Sequence, residues 1–344
     1  FKNKIITDID LFFLENNNSK SIVITGTNGK PTTCKLLQHL FIKNNFKCFL
    51  GGNIGVPILD VKNTKNSYVI IEASSFQLSH SKFIRPDFAF FLNLSNDHLD
   101  WHGNINNYLN SKLKIFSQQT KNQYAILNRK LRKKFYKKSF LSKLILPDII
   151  KYKKIKHKIK NYYLSSEIND ENMSFVLTFS RLIKISDKSF VNSMKSFKGL
   201  PHRFEIFLKK KDVTFINDSK ATTFKAAESA ISSLENIYWI LGGIPKKKDR
   251  INLSKYKRKI IKCYLIGKNT NFFKKQVKDE LDFSITKNLK NSILNILKDC
   301  KSQRVTGKTI LLSPAASSFD QFNNFENRGE EFKKLCNLYA RKFI

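Results

Sequence analysis

Ser21-Ile22-Val23-Ile24-Thr25, followed at once by Gly26-Thr27-Asn28-Gly29-Lys30, is the stretch on which the reading of this chain turns. An uncharged run rich in Ile, Val and Thr predicts a buried strand. The glycine-containing loop after it leads into a helical pattern from about Thr32 to Asn45. In a strand, loop and helix of this kind, backbone N–H groups and the positive end of the helix face an anion, and the lysine reaches the outer phosphates of a nucleotide. Gly26, Thr27, Asn28, Gly29 and Lys30 are therefore candidate phosphate ligands. A P-loop carries Ser or Thr after its lysine to place a hydroxyl on Mg²⁺, and here Pro31 stands instead. Proline suits the first turn of a helix, so the helix is expected to form while the hydroxyl and one N–H are lost. Thr32 or Thr33 is expected to stand in for part of that loss.

Outward from this loop the chain alternates β-rich runs with helical patterns, which predicts parallel sheets flanked by helices. Tyr68–Glu72, Phe88–Leu94 and Tyr124–Leu127 read as strands, and Asn104–Ser117 as a helix. From about Lys130 to Ser166 the sequence is Lys-rich and carries little pattern. A second set of βα units starts near Gly199. Its strands are expected at Val213–Ile216, Tyr238–Leu241, Ile261–Ile266 and Thr309–Leu312. Helices are expected at Phe224–Leu234 and Leu289–Lys298, with a closing helix from about Asp320. The expectation is two α/β domains meeting around residue 199.

Composition sets outer limits. The 344 residues are 41% hydrophobic and 12% aromatic, enough to fill ordinary cores. No apolar run approaches the roughly 18–20 residues of a membrane span, and the first segment does not read as a signal peptide. Five scattered cysteines (Cys34, Cys48, Cys263, Cys300, Cys336) with no CxxC pair argue against a disulfide framework or zinc cluster, and for a reducing cytoplasm. The net charge is +36, but only ten of the 63 basic residues are Arg. Nucleic-acid readers favour the bidentate guanidinium. The Lys, Asn, Ile and Phe excess follows AT-rich codon usage, so no nucleic-acid partner is expected.

Four ordered motifs in the first half, Gly26–Lys30, Gly51-Gly52-Asn53-Ile54-Gly55, Glu72–Leu78 (EASSFQL) and Asn96-Asp97-His98-Leu99-Asp100, resemble the Mur ligases in order and spacing. In the second half, Gly199–Glu205 (GLPHRFE), Asn217–Thr222 (NDSKAT), Ser313–Phe322 (SPAASSFDQF) and Asn324–Gly329 (NFENRG) narrow the resemblance to the branch that adds D-glutamate. The resemblance covers nearly the whole chain and is weakest at 130–166. It implies a central P-loop-type ATPase domain with a parallel-rich sheet at 1–198, of which 1–20 is an entry linker. A C-terminal Rossmann-like α/β domain that binds the amino acid is implied at 199–344. The family's N-terminal uridine-nucleotide domain is expected to be missing from this sequence.

The implied reaction joins the carboxylate of UDP-N-acetylmuramoyl-L-alanine to the amine of D-glutamate, with ATP and Mg²⁺ as cofactors and an acyl phosphate between. Lys30 is implied at the β- and γ-phosphates, Glu72 and His98 as Mg²⁺ ligands, and Lys112 as a lysine carbamylated by CO₂ into a third, anionic ligand. Lys114, two residues on, would face another side of the helix. Asn53 is implied to face the substrate, and Asn169 and Asn172 to meet the adenine. Ile168 stands where the family has His and Ser166 where it has Gly, which bears on nucleotide affinity. Arg203 and Asp218 are implied at ATP, with closure of the second domain over the first. Lys220, Thr222, Lys246, Ser318 and Phe325 are implied at D-glutamate, since a dianion calls for charged and neutral donors. Lys30, Lys112, His98 and Lys220 form the implied catalytic set, in a monomer.

Two alternatives stand beside this. Folylpolyglutamate synthases share the phosphate loop but not the GLPHRFE and Asn-Phe-x-x-Arg-Gly motifs. A Mur-ligase remnant that folds and binds ATP without catalysing would fit the missing domain, Pro31 and Ile168.

Overall fold

The computed structural model describes residues 5–15, 18–62, 64–165, 167–246, 249–303 and 305–343. Ser166 and the side chain of Ile168 lie outside the described residues. The chain divides into two compact units, Phe1–Phe197 and Lys198–Ile344.

In the first unit the order is α1 (Asp8–Glu15), β1 (Lys20–Thr25), α2 (Lys30–Lys43), β2 (Cys48–Gly52), β3 (Tyr68–Glu72), α3 (Ser75–His80), β4 (Phe88–Phe91), α4 (Leu99–His102), α5 (Ile105–Leu113), β5 (Tyr124–Leu127), α6 (Arg132–Tyr136), β6 (Lys143–Ile145), α7 (Ile149–Ile159), α8 (Tyr162–Ser165), α9 (Asp170–Leu182) and α10 (Asp187–Lys195). The six strands form one sheet in the order β2-β3-β1-β4-β5-β6, every neighbouring pair parallel. β1 is central and buried along Ser21–Thr25, as an uncharged run covered on both faces must be. One face packs Val23, Val69, Ile71 and Phe91 on Leu109, Leu113 and Phe116. The other carries Phe88 and Phe90 against Phe179 of α9, with ring centroids 5.1 and 5.6 Å apart. The chain leaves β1 toward β2 on one side and later returns to β4 on the other. This reversal opens a crevice at the carboxyl end of β1, where α/β sheets place ligands.

The second unit runs β7 (Glu205–Lys210), β8 (Val213–Asn217), α11 (Phe224–Ser232), β9 (Ile237–Gly242), β10 (Ile260–Ile266), α12 (Thr270–Val277), β11 (Phe283–Lys287), α13 (Leu289–Ser302), β12 (Lys308–Leu312) and α14 (Phe325–Phe343). Its sheet order is β11-β10-β9-β12-β8-β7, parallel except for β7, which pairs antiparallel with β8. Trp239, Leu241 and Leu311 face Phe224 and Phe273 on one side. Tyr238, Ile240 and Leu312 face Ile293 and Phe332 on the other.

The strands expected from apolar runs are present, with adjusted ends. β4 stops at Phe91, because Leu92 and Asn93 bend toward the phosphate loop: the Leu92 N–H donates to Thr25 O at 3.0 Å and the Asn93 carbonyl accepts from the Thr27 N–H at 3.0 Å. The helix expected to Ser117 is α-helical to Leu113 and then tightens to 3₁₀ over Lys114–Phe116. The closing helix starts at Phe325, not Asp320. The stretch of weak pattern after Lys130 holds α6, β6 and α7.

Candidate active site

The phosphate loop connects β1 to α2 as the sequence implies. Gly29 caps α2 with φ 82°, a backbone region that glycine adopts without penalty. A Cβ there would lie 2.2 Å from Asn172 Oδ1, so the amide of α9 packs directly on the loop. Pro31 lies in the first turn of α2, and Thr32 and Thr33 are buried. The Thr33 hydroxyl donates to Asn172 Oδ1 at 3.3 Å.

Several sequence-implied residues meet at this loop. The Lys30 ammonium folds back to donate to Gly26 O at 2.9 Å and Thr27 O at 3.0 Å. The Lys112 ammonium donates to the same Gly26 carbonyl at 2.9 Å and to Thr25 Oγ1 at 3.4 Å. Lys112 also lies 4.5 Å from the centroid of the Tyr108 ring, and the Tyr108 hydroxyl donates to Thr27 Oγ1 at 3.3 Å. Lys112 is 1% exposed. Burial first, and then the neighbouring Lys30 charge, push its pKa down to about 6. Lys114 turns away, donating to the carbonyls of Ser79 and Ser81.

Glu72 ends β3 and is 2% exposed. Its Oε1 accepts from Asn53 Nδ2 at 2.9 Å, while its Oε2 is buried without a hydrogen-bond partner. Asn53 thus orients Glu72, a contact that its place in a glycine-rich turn did not signal. A buried carboxylate oxygen lacking a donor is costly, and a divalent cation is a partner that would satisfy it. The residues present fit Mg²⁺ in this respect. Among the described residues no three His, Cys, Asp or Glu side chains cluster as a metal cage, whereas Mg²⁺ bound with a nucleotide takes one or two protein ligands plus phosphate oxygens. His98, at φ 52°, precedes α4 and lies 3.5 Å from Asp97 Oδ2. Its ring is 4.9 Å from Phe76 and 6.3 Å from Tyr108, centroid to centroid, which ties it to the Lys112 side of the loop.

Sequence reading missed what holds the loop from beneath. Asn93, just past β4, accepts the Asn28 N–H on Oδ1 at 2.8 Å and the Thr27 N–H on its backbone oxygen at 3.0 Å. Two of the backbone donors expected at phosphate are engaged by Asn93. Its amide nitrogen donates to Glu171 Oε2 at 2.9 Å. Asn169, buried at the start of α9, donates to Tyr163 O at 2.9 Å.

In the second unit Asp218 follows β8. Its carboxylate accepts from the Phe204 N–H at 3.1 Å and the Ser313 hydroxyl at 2.7 Å. Burial nevertheless pushes its pKa up to about 7, against these donors and the Arg203 charge. The Lys220 ammonium lies 3.9 Å from the centroid of the Phe325 ring, so these two implied D-glutamate residues meet. Ser318 is buried, Thr222 half-buried, and Lys246 exposed on the loop after β9. Arg328, 1% exposed, donates through Nε to Ser219 Oγ at 2.9 Å and through Nη2 to Ser219 O at 2.7 Å and Ala316 O at 3.0 Å. The Ser219 hydroxyl in turn donates to Phe325 O at 2.9 Å. One guanidinium therefore ties together the three segments that carry Lys220, Ser318 and Phe325. The motif Asn-Phe-x-x-Arg-Gly was the signal for it, but only the fold shows what the arginine touches.

The family model of the Mur ligase middle domain matches residues 24–195. The UDP-N-acetylmuramoylalanine–D-glutamate ligase of Rickettsia bellii is 37% identical over 360 residues, which cover 98% of this chain and 80% of that protein. The chain belongs to the Mur ligase family. A D-glutamate ligase of Pseudothermotoga lettingae is 31% identical, covering 100% of this Mur ligase and 81% of its relative. Among solved structures, the Thermotoga maritima MurF ligase in complex with ADP matches with a TM-score of 0.68 at 16% identity, over 97% of this chain and 83% of that one. A bifunctional folylpolyglutamate synthase/dihydrofolate synthase from Yersinia pestis matches at 0.64 and 12% identity, over 96% and 94%. These structural likenesses establish the fold, while the sequence relatives place the chain nearer to the D-glutamate ligases.

Proposed function

We propose that this Mur ligase adds D-glutamate to UDP-N-acetylmuramoyl-L-alanine at the expense of ATP, acting in the cytoplasm as a monomer. The observation that carries the reading is the convergence of Lys30, Lys112 and the half-satisfied Glu72 carboxylate around one phosphate loop. A free carboxylate is a poor acyl donor. Its oxygen attacks the γ-phosphorus, ADP departs, and the resulting acyl phosphate is open to the D-glutamate amine. Nitrogen adds to the carbonyl carbon, inorganic phosphate leaves with its bonding electrons, and the amine gives up a proton.

The chain's part in this is charge neutralisation and alignment. Lys30 exchanges the carbonyls of Gly26 and Thr27 for the β- and γ-phosphates. Glu72, held by Asn53, would hold Mg²⁺, with His98 and a carbamylated Lys112 as the further candidate ligands. When bound, the ion would neutralise phosphate charge and polarise the transferring group. A lysine with its pKa pushed down to about 6 is mainly a neutral amine at pH 7–8, the form that combines with CO₂. Gly26, Thr27, Asn28, Gly29 and Thr32 frame the phosphates, and Asn169 and Asn172 the base. Arg203 and Asp218 are assigned to ATP from the resemblance. Lys220, Thr222, Lys246, Ser318 and Phe325 are assigned to D-glutamate, with a cation and hydroxyls for its carboxylates.

Calorimetric titration of a non-hydrolysable ATP analogue, with and without Mg²⁺, tests the metal assignment. Wild-type affinity is expected to rise at least tenfold with Mg²⁺, and Glu72→Gln to lose most of that gain. Retention of the full Mg²⁺ effect by Glu72→Gln would remove Glu72 from the site.

A further inference from the structure

We propose that Glu171 is a positioning residue for nucleotide binding, holding the phosphate loop in register with α9 through the amides of Asn93 and Asn128. The proposal rests on the nucleotide reading above and names a residue that neither a motif nor the charge pattern marks.

Glu171 lies in the first turn of α9, between Asn169 and Asn172. Its two carboxylate oxygens take one amide each. Oε2 accepts from Asn93 Nδ2 at 2.9 Å, and Oε1 accepts from Asn128 Nδ2. Both asparagines stand just past the carboxyl ends of neighbouring strands, β4 and β5, beside the loop. Each is then fixed in orientation. Asn128 also donates to Leu92 O at 2.9 Å and accepts from the Lys130 N–H at 3.0 Å. Asn93 pairs with both backbone groups of Asn28, accepting its N–H at 2.8 Å and donating to its carbonyl at 3.2 Å. Both protons of the Asn93 amide nitrogen and both of the Asn128 amide nitrogen thus have acceptors.

The carboxylate and the backbone agree on the direction of every bond in this network: Asn28 N–H and O orient Asn93, and Leu92 O and the Lys130 N–H orient Asn128. A carboxylate can only accept, so Glu171 matches both amides in the one orientation in which Asn93 also presents its oxygen to the Asn28 N–H. A second fastening lies alongside. Asn172, one residue after Glu171, accepts from the Thr33 hydroxyl and packs on Gly29. Helix α9 therefore grips the loop at Asn28 and at Gly29. The residues expected to frame the base and those expected to bind the phosphates become one unit.

Substitution by Gln breaks this logic without changing size. One end of the side chain becomes an amide nitrogen facing an asparagine amide nitrogen, donor against donor. The backbone groups oppose a turn of either asparagine, so the Gln nitrogen either loses one of them as a partner or forces it over, and a released or turned Asn93 no longer fastens the loop to α9. Asp is a methylene shorter and cannot span both amides.

The test uses the full chain, with calorimetric binding of a non-hydrolysable ATP analogue in Mg²⁺ and backbone amide hydrogen exchange. Glu171→Gln is expected to weaken the analogue about tenfold, the worth of one or two net hydrogen bonds. Exchange should accelerate at Thr27 and Asn28 while the amides of β1 and β3 keep their protection, and the D-glutamate KM should stay within twofold. Glu171→Ala should lose at least as much affinity. The proposal is overturned if Glu171→Gln binds within twofold of wild type, or if protection falls uniformly across the first sheet, which a merely structural role would give. Failure of the wild-type chain to bind the analogue would defeat the nucleotide reading itself and this inference with it.

Discussion

Asp218 is a carboxylate whose surroundings work against its charge. Burial pushes its pKa up to about 7 although the Ser313 hydroxyl and the Phe204 N–H donate to it. In the unfolded chain the group titrates near its ordinary value of about 3.9. Between these two values the folded chain holds the proton that the unfolded chain has released. The stability it contributes is therefore complete below about pH 4 and is lost as pH rises through 7. Asp218→Asn should flatten the fall in Tm between pH 4 and 7. It should also leave the variant more stable than wild type above pH 7, by roughly 1–2 kcal/mol after solvent screening. Thermal melts across pH 4–8 check this, and a parallel decline in both proteins would contradict it. At this scale the sequence was partly legible. Lys112 and Lys114 separate because two helical residues two apart face different ways, and they do so here. Asn53 on Glu72 and Glu171 on Asn93 were not legible, because each contact joins residues 19 and 78 positions apart in the chain.

At the scale of elements, the joint between β1 and α2 depends on a glycine with a positive φ pressed against another helix. Gly29→Ala would force a Cβ into the left-handed region and to 2.2 Å from Asn172 Oδ1. The strain alone is about 1 kcal/mol or more, and displacement of Asn172 also loosens α9. The variant is expected to unfold at lower denaturant concentration, with a stability loss of about 2 kcal/mol and at least tenfold weaker nucleotide binding. Unchanged values in both would show that the loop and α9 are not packed as described. Central strands such as β1, β3 and β9 could be read from the sequence because burial on both faces leaves no room for charge. The lesser strands could not. β6 and β7, at the sheet edges, read Lys-Leu-Ile and Glu-Ile-Phe-Leu-Lys-Lys, and lysine on exposed positions hides the period while guarding the open edge. Helix α7 is concealed in the same way: in Ile-Ile-Lys-Tyr-Lys-Lys-Ile-Lys-His-Lys-Ile only Tyr152 and Ile159 are buried.

For the whole molecule, the net charge of +36 has no counterpart in the site chemistry beyond a few lysines at the phosphate loop and beside Phe325. Apart from these and the buried Lys308 and Arg328, the lysines and arginines among the described residues are partly or fully exposed. Among the described residues no helix is long and apolar enough to cross a membrane. The chain spans 80% of the length of its Rickettsia bellii relative, and under the proposed function one unit would carry phosphoryl transfer and the other recognition of a dicarboxylic nucleophile. The most direct test is phosphate release by the full chain given Mg·ATP and UDP-N-acetylmuramoyl-L-alanine, with D-glutamate, with L-glutamate or with neither, while amide product is followed alongside. The expected result is phosphate formed one for one with amide, only with D-glutamate, and abolished by Lys30→Met. Phosphate release indifferent to D-glutamate, or none with every substrate present, would contradict the assignment.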